Sequence, residues 1–209
     1  MNKLIIICGG DRLGKGSLVK GLAEYFDYKN ITVRHCDKPP KNLVQTEVLD
    51  YQIKAFEEEF NLIIYTQCMN RKFLYHDNIM IYDRFYLGEY VYGQMFRNYD
   101  AKLIKAHILA LEESYIKMAL KYSNVYLITL TADPKFFYSR EDGKSFSNNI
   151  EDKTRELELF KEAHNFSMIP NKLLVKVDHP FDVTGEIGFS FRGKEQILNE
   201  VIEFIDGKK

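Results

Sequence analysis

The chain has 209 residues, of which 45% are hydrophobic, and a formal net charge of -1 at pH 7. This length predicts one globular domain, and the charge argues against a nucleic-acid-binding protein, which usually needs a basic face. No apolar stretch approaches the ~20 residues that span a membrane, and the apolar N-terminal run is too short for a signal peptide. The three cysteines (Cys8, Cys36 and Cys68) are far apart, which predicts reduced thiols in a cytoplasmic protein.

A glycine-rich segment follows the apolar run at residues 4–8. It reads Gly9-Gly10-Asp11-Arg12-Leu13-Gly14-Lys15-Gly16-Ser17. A buried strand, a glycine turn and a helix start, in this order, are typical of a phosphate-binding loop, in which backbone N–H groups and the helix dipole bind an anion. We expect residues 10–17 to bind ATP, with Lys15 at the terminal phosphates. The strict motif has Ser or Thr directly after the lysine, so direct magnesium binding by Ser17 stays open, and an ordinary glycine turn is the alternative.

Short apolar strands alternate with longer amphipathic segments. The predicted strands are 3–8, 31–36, 78–83, 124–130 and 172–177. The predicted helices are 15–27, 43–76 in two or more pieces, 101–122, 150–165 and 193–206. This alternation predicts an α/β fold with a parallel sheet and helices on both faces. Two polar, glycine-bearing segments, 134–149 and 178–193, are predicted to be irregular, and both follow strands, which puts them on the ligand's side of the sheet.

Charged residues follow several of these strands. Asp83 ends the third strand and can hold magnesium, while the adjacent Arg84 can reach phosphates; a salt-bridged pair at a strand end is the alternative. Arg140 and Lys144 follow the fourth strand and suit a lid that covers phosphates, or else form a solvated charge cluster. Asp37 follows the second strand and could act as a base or bind a substrate hydroxyl, with a proline-fixed turn as the alternative.

These motifs resemble the thymidylate kinase family of P-loop nucleoside monophosphate kinases. The resemblance lies in Asp11-Arg12-Leu13-Gly14-Lys15, Asn70-Arg71 and Asp83-Arg84-Phe85. It implies a P-loop NTPase three-layer sandwich with a five-stranded parallel sheet, in a single domain over residues 1–209 with a lid at about 134–149. It also implies a homodimer, and compact divergent kinases of this kind are familiar from bacteriophages.

The same resemblance implies roles for individual residues. The catalytic candidates are Lys15, Arg84, Arg140 and Asp11, and the magnesium candidates are Ser17 and Asp83. The acceptor-binding candidates implied by the resemblance are Arg71 for the monophosphate and Tyr92 beside the 2′ position of the sugar. Gln67, where the chain departs from the family, and Asp37 after the second strand are further acceptor-binding candidates. Gln67 stands where the family has an aromatic residue that stacks on the acceptor base, and a glutamine can instead read a base edge through two hydrogen bonds.

Three functions follow from these observations. The first is phosphoryl transfer from ATP with Mg²⁺ to a deoxynucleoside monophosphate, with a pyrimidine base expected. The second is a deoxynucleoside kinase, because Gln67 and the Asp37 segment also resemble that group, whose acceptor hydroxyl needs a general base. The third is a nucleotide-binding protein without catalysis. None of the three involves nucleic acid or a membrane.

Overall fold

The computed structural model of the chain describes residues 2–26, 31–36, 39–40, 43–73, 78–143, 145, 147–183 and 186–207. The strands are β1 (Asn2–Gly9), β2 (Ile31–His35), β3 (Ile79–Asp83), β4 (Ser123–Thr131), β5 (Asn171–Lys176), β6 (Asp178–Val183) and β7 (Glu186–Phe191). The helices are α1 (Lys15–Tyr25), α2 (Gln45–Phe73), α3 (Leu87–Arg97), α4 (Ala101–Leu111), α5 (Lys117–Ala119), α6 (Pro134–Ser139), α7 (Ile150–Phe166) and α8 (Lys194–Ile205), with a π-helical turn (Glu112–Ile116) between α4 and α5.

The first five strands form one sheet in the order β2-β3-β1-β4-β5, and every neighbouring pair is parallel. The predicted α/β class and all five predicted strands are confirmed. The register pairs Asp83 with both Ile7 and His35. The carboxyl ends of three strands therefore meet at the edge of the sheet where the glycine-rich loop begins.

The sheet is buried on both faces. Alternate residues of β1 enter two separate cores: Leu4 and Ile6 pack with α2, α3 and α7, whereas Ile5 and Ile7 pack with α1 and α8. Burial on both faces explains why β1 reads as a continuous apolar run instead of an alternating pattern. No helix within the described ranges is long and apolar enough to cross a membrane.

Helix α2 is continuous over 29 residues, so the expectation of two or more pieces is wrong. Its direction matters for the site. Gln52 and Phe56, in its first half, lie near the carboxyl ends of the strands beside Arg84. Gln67, in its second half, contacts Asn2 at the start of β1. The helix therefore runs from the loop edge of the sheet to the opposite edge.

Helix α3 is absent from the helices expected from the sequence. Its segment contains two glycines and several aromatic residues, which have a low helix propensity. Packing explains why position 93 is a glycine, since a Cβ there would lie 2.7 Å from Cδ2 of Tyr99 and 2.8 Å from Cδ1 of Ile104. The packing of α3 against α4 thus favours a helix that local propensity does not predict.

The two segments expected to be irregular contain regular structure. Residues 134–139 form α6, with Asp133 as the N-cap and Pro134 in the first turn, where proline is favoured. Segment 178–193 contains the antiparallel hairpin β6–β7. Gly188 fits this hairpin because the Phe181 ring covers it, with Cζ 2.8 Å from an added Cβ. In this hairpin Gly188 marks a close contact and Pro180 lies in an edge strand, so neither residue marks a loop.

The predicted helix 101–122 is interrupted by the π-helical turn, and Glu112 at its start is fully buried. Its carboxylate accepts hydrogen bonds from the Tyr86 hydroxyl (2.6 Å), the Ser167 hydroxyl (2.6 Å) and the Met168 amide (2.5 Å). These three donors compensate for the lost hydration of the buried charge. Glu112 thereby joins the start of α3 to the chain that follows α7.

We expect Glu112→Ala to lower the free energy of unfolding by about 3 kcal/mol, because three buried donors lose their acceptor. Glu113→Ala is the matched control, since Glu113 is exposed and its ion pair is with Lys117, one turn away on the surface. That substitution should cost less than about 0.5 kcal/mol. Urea denaturation of the wild type and both variants measures the free energies of unfolding. Equal losses for the two variants would contradict the structural role of Glu112.

Candidate functional site

The glycine-rich loop connects β1 to α1 at the edge of the sheet. Gly9 (φ 133°) and Gly14 (φ 90°) have positive φ values, which glycine adopts readily. Arg12 also has a positive φ (67°), which is unusual for a residue with a side chain. Gly14 is the N-cap of α1, so the free amides of the first helical turn face the space above the loop. This geometry is that of an anion-binding site.

Lys15 lies inside the loop and is only 5% exposed. Its ammonium donates to the carbonyl oxygens of Gly9 (2.9 Å) and Gly10 (2.7 Å) and lies 3.7 Å from Oδ1 of Asp11. Burial and the nearby Arg84 lower the pKa of Lys15, although Asp11 opposes this effect. The lysine thus holds the loop closed on itself and presents a positive charge beneath it.

The end of β3 adds a second charged pair. Arg84 has a left-handed backbone (φ 66°), and its amide donates to the Ile7 carbonyl at 3.0 Å. Its guanidinium pairs with Asp11 of the glycine-rich loop. Asp83 lies 3.3 Å from Nδ1 of His35 through one carboxylate oxygen. The other oxygen, Oδ1, is buried and has no hydrogen-bond partner among the described residues.

A cleft of about 800 Å³ lies above the loop, which is large enough for a nucleotide. Its described lining contains seven lysine and arginine side chains and only three carboxylates. The cations are Arg12, Lys15, Lys20, Arg84, Arg140, Arg192 and Lys194. A chain with nearly balanced charge therefore concentrates positive charge at this cleft, which favours an anionic ligand. Gly16 and Ser17 also line it, as does Leu13, whose side chain is buried in the core.

The segment after α6 closes one side of the cleft. Arg140 lies over the Phe191 ring, 5.0 Å from its centre, and Asp142 pairs with Arg12. The carboxylate of Glu141 accepts from the Gly143 amide at 2.9 Å and pairs with Lys153 at 2.6 Å. Burial would raise the pKa of Glu141, but hydrogen bonds from Lys153 and Ser145 lower it to about 2. Lys144 lies outside the described residues.

A second, smaller pocket of about 60 Å³ lies between α2 and α3. Its lining comes from both helices and from the chain that precedes each of them: Cys36, Pro39, Gln52, Phe56, Arg84, Phe85, Gly88, Glu89, Tyr92 and Arg97. Arg97 pairs with Glu89, and both are largely buried. Burial raises the pKa of Glu89, and Arg97 opposes this effect. Arg84 lines both the large cleft and this pocket, so the two cavities meet at its side chain.

Tyr92 connects this pocket to the glycine-rich loop. Its hydroxyl donates to Oε1 of Glu156 at 3.0 Å, and the same oxygen lies 3.1 Å from the Cβ position of Gly10. Ser147 donates to the other oxygen of Glu156. Burial raises the pKa of Glu156, and burial together with Glu156 raises that of Tyr92. Tyr92 therefore lies on the wall of a pocket beside the loop, and its contact with the sugar of an acceptor stays a prediction.

The structure does not bring Gln67 to the cleft, and the expectation that it binds the acceptor base is wrong. Its side chain is fully buried, and Oε1 accepts from the Ser123 hydroxyl (2.9 Å) at the start of β4, on the opposite edge of the sheet. Position 71 lies one helical turn further along α2, and the Arg71 side chain lies outside what the structure describes. Asp37 also lies outside the described residues.

Sequence reasoning missed Gln52, Glu89 and Arg97 as pocket residues. The available signal was direction: a helix that follows β2 begins at the carboxyl edge of a parallel sheet, so its first turns face the ligand. Glu89 and Arg97 belong to α3, which the sequence pattern did not predict.

No family model and no curated protein matches the chain. Among solved structures, a thymidylate kinase from Candida albicans is similar, with 14% identity, coverage of 99% of this chain and 92% of that one, and a TM-score of 0.56. A deoxyadenosine kinase from M. mycoides with bound dCTP shares 16% identity over 98% of this chain and 99% of that one, with a TM-score of 0.50. Polyphosphate Kinase 2 from Arthrobacter aurescens TC1 shares 12% identity over 83% of this chain, with a TM-score of 0.54. The chain covers only 61% of that enzyme.

The strand order, the glycine-rich loop and these likenesses agree. The chain has the P-loop kinase fold. Structural similarity at identities this low establishes the fold of the chain, and its substrate has to be argued from the site.

The close contact between the glycine-rich loop, from here on called the P-loop, and Phe137 gives a test of how this loop packs. A Cβ at Gly10 would lie 2.3 Å from Cζ of Phe137, a fully buried ring, whereas no described atom lies within 4 Å of a Cβ at Gly16. We expect Gly10→Ala to lower the free energy of unfolding by about 2 kcal/mol through overpacking. Gly16→Ala, in the first turn of α1, should leave it unchanged or slightly raised.

Thermal unfolding of both variants measures the difference. Adding Phe137→Leu to Gly10→Ala should cost less than the sum of the two single losses, because the second change removes the clash. Additive losses would show that contact with the Phe137 ring is not what limits position 10.

Proposed function

We propose that the chain is a kinase that transfers the terminal phosphoryl group of MgATP to a deoxynucleoside monophosphate with a pyrimidine base. The observation that carries this proposal is the position of Arg84, which lines both the P-loop cleft and the pocket between α2 and α3. Two adjoining cavities with a shared arginine suit a donor and an acceptor whose phosphates meet at that residue.

The donor half consists of the P-loop and its surroundings. The amides at the start of α1 and the Lys15 ammonium would bind the phosphates. Lys15 would then exchange its carbonyl partners in the loop for phosphate oxygens. Phe191 also lines the cleft and offers a ring beside which a planar base could pack. In this proposal the predicted lid, at about 134–149, comprises α6 and the turn that follows it.

The magnesium ion of MgATP arrives with the substrate, which supplies phosphate oxygens and water as most of its ligands. Asp83 fits a place beside it, because its buried Oδ1 has no hydrogen-bond partner among the described residues. Ser17 lines the same cleft and carries an exposed hydroxyl. Asp83 and Ser17 would hold the ion, which neutralises charge on the phosphates.

The pocket between α2 and α3 would hold the acceptor. Arg84 and Arg97 supply positive charge for a phosphate, and the Gln52 side chain can donate to and accept from a base edge. Tyr92 offers a bulky wall. The pocket is smaller than a nucleotide, so it must widen on binding.

The chemistry needs no strong base, because the acceptor phosphate oxygen is already a nucleophile. That oxygen would form the new bond to the terminal phosphorus, and the bond to the bridging oxygen would break to release ADP. Lys15, Arg84 and Arg140 would stabilise the charge on the transferring group. Asp11 would orient Lys15 and Arg84 through its contacts with both. The homodimer implied by the resemblance to thymidylate kinases stays a prediction.

An acceptor panel tests the reaction. The chain is incubated with MgATP and each common nucleoside or nucleoside monophosphate, and ADP formation is measured. We expect turnover with a pyrimidine deoxynucleoside monophosphate and not with the matching nucleoside. Turnover of nucleosides alone would indicate the nucleoside kinase instead, with Asp37 as the candidate base. ATP binding without transfer to any acceptor would indicate a non-catalytic nucleotide-binding protein.

The shared arginine gives a second test. Arg84→Ala should lower kcat by about 100-fold or more, because a charge that stabilises the transferring group is removed. Arg34→Ala is the matched control, since Arg34 also pairs with a carboxylate near a strand end, with Nε 3.1 Å from Glu59, but lines neither cavity. The control should keep kcat within about twofold, and a similar loss in both variants would remove the role assigned to Arg84.

A further inference from the structure

A fully buried lysine lies beneath the segment proposed as the lid. Lys153, in the first turn of α7, is 0% exposed. Its ammonium pairs with Oε2 of Glu141 at 2.6 Å and lies 4.2 Å from the centre of the Phe137 ring. Burying an ammonium costs several kcal/mol unless it is well paired, so a lysine in this place requires an explanation.

The partner of Lys153 organises the turn that follows it. The second oxygen of Glu141 accepts from the backbone amides of Asp142 (3.2 Å), Gly143 (2.9 Å) and Ser145 (3.3 Å). A carboxylate that receives several amides fixes the backbone around it, and Gly143 (φ 78°) supplies the left-handed residue that this turn requires. The conformation of residues 141–143 and of Ser145 thus depends on one carboxylate, and Lys153 holds that carboxylate in place.

The residues on either side of Glu141 reach the cleft. Arg140 lies over Phe191 on the cleft wall, and Asp142 pairs with Arg12 of the P-loop. Phe137, which Lys153 also contacts, lies directly against Gly10 of the P-loop. The lysine therefore contacts the two elements, α6 and the turn after it, that determine where Arg140 lies relative to the P-loop.

Helix α7 holds the far end of the same segment as well. Ser147 donates to Glu156, one turn after Lys153 on α7. Two buried charged side chains on successive turns of one helix thus hold the start and the end of the segment. This arrangement differs from a lid that swings freely on hinges.

We infer that Lys153 is a positioning residue for phosphoryl transfer: through Glu141 it holds Arg140 and Asp142 over the P-loop before any nucleotide binds. This inference rests on the proposed function for its catalytic consequence, whereas its structural part stands on the contacts above. The described part of the lid is preorganised, and its order does not depend on ATP.

The experiment compares four full-length proteins without nucleotide: the wild type, Lys153→Met, Lys153→Met with Glu141→Gln, and Lys161→Met. The double variant removes both charges at nearly constant volume, so it leaves no buried unpaired charge and should fold. Lys161 is an exposed lysine on the same helix and serves as the control. Hydrogen exchange followed by mass spectrometry reports on the peptide that covers residues 140–147.

We expect exchange in this peptide to be about tenfold faster or more in both Lys153 variants, with the other peptides of the chain and the control unchanged. With an acceptor from the panel, both variants should lose about 10- to 100-fold in kcat, because Arg140 is misplaced, while KM for the acceptor stays within about twofold. A lysine that only stabilised the fold would not produce this split.

If the double variant had the exchange rate and the kcat of the wild type, the inference would be overturned. Faster exchange spread evenly over the chain would also overturn it. If the wild type transfers no phosphoryl group to any acceptor, the proposed function fails, and the exchange measurement still decides whether Lys153 holds the segment.

Discussion

The parallel register of β1 with β3 places Ile7 beside Asp83, and the remaining features of the site depend on this alignment. The chain leaves β1 as the glycine-rich loop and leaves β3 through the left-handed Arg84. Because both strands end at the same level, Asp11 of one loop meets Arg84 of the other. A shift of two residues in this pairing would keep the cores buried, but it would separate these two side chains by almost 7 Å.

Many cations of the cleft have carboxylate partners before a ligand arrives. Arg84 pairs with Asp11, Arg12 with Asp142, and Arg192 with Glu200. An incoming phosphate must replace some of these partners, so its affinity is a difference between two sets of charged hydrogen bonds. Such an exchange favours a ligand with more charge and more acceptor oxygens than a carboxylate, which is a property of a triphosphate.

The sequence was most informative where a pattern was both strong and local. The apolar runs gave the five strands, and the glycine-rich segment placed Lys15 and the start of α1. It failed where tertiary packing decides the outcome: α3 has a weak helix propensity and forms because Gly93 allows α4 to approach. The resemblance aligns Gln67 with a residue that contacts the acceptor base, and an alignment of positions along a helix says nothing about which end of the sheet that helix has reached. Gln52, the same residue type four turns earlier, occupies the end that faces the ligand.

The contact between Gly10 and Phe137 also constrains how this sequence can change over time. The ring fills the space that a side chain at position 10 would need. Relatives with a larger residue at position 10 should therefore carry a smaller one at position 137. Either order passes through a destabilised intermediate, because shortening residue 137 first leaves a cavity in the core, whereas enlarging residue 10 first overpacks the loop against the ring.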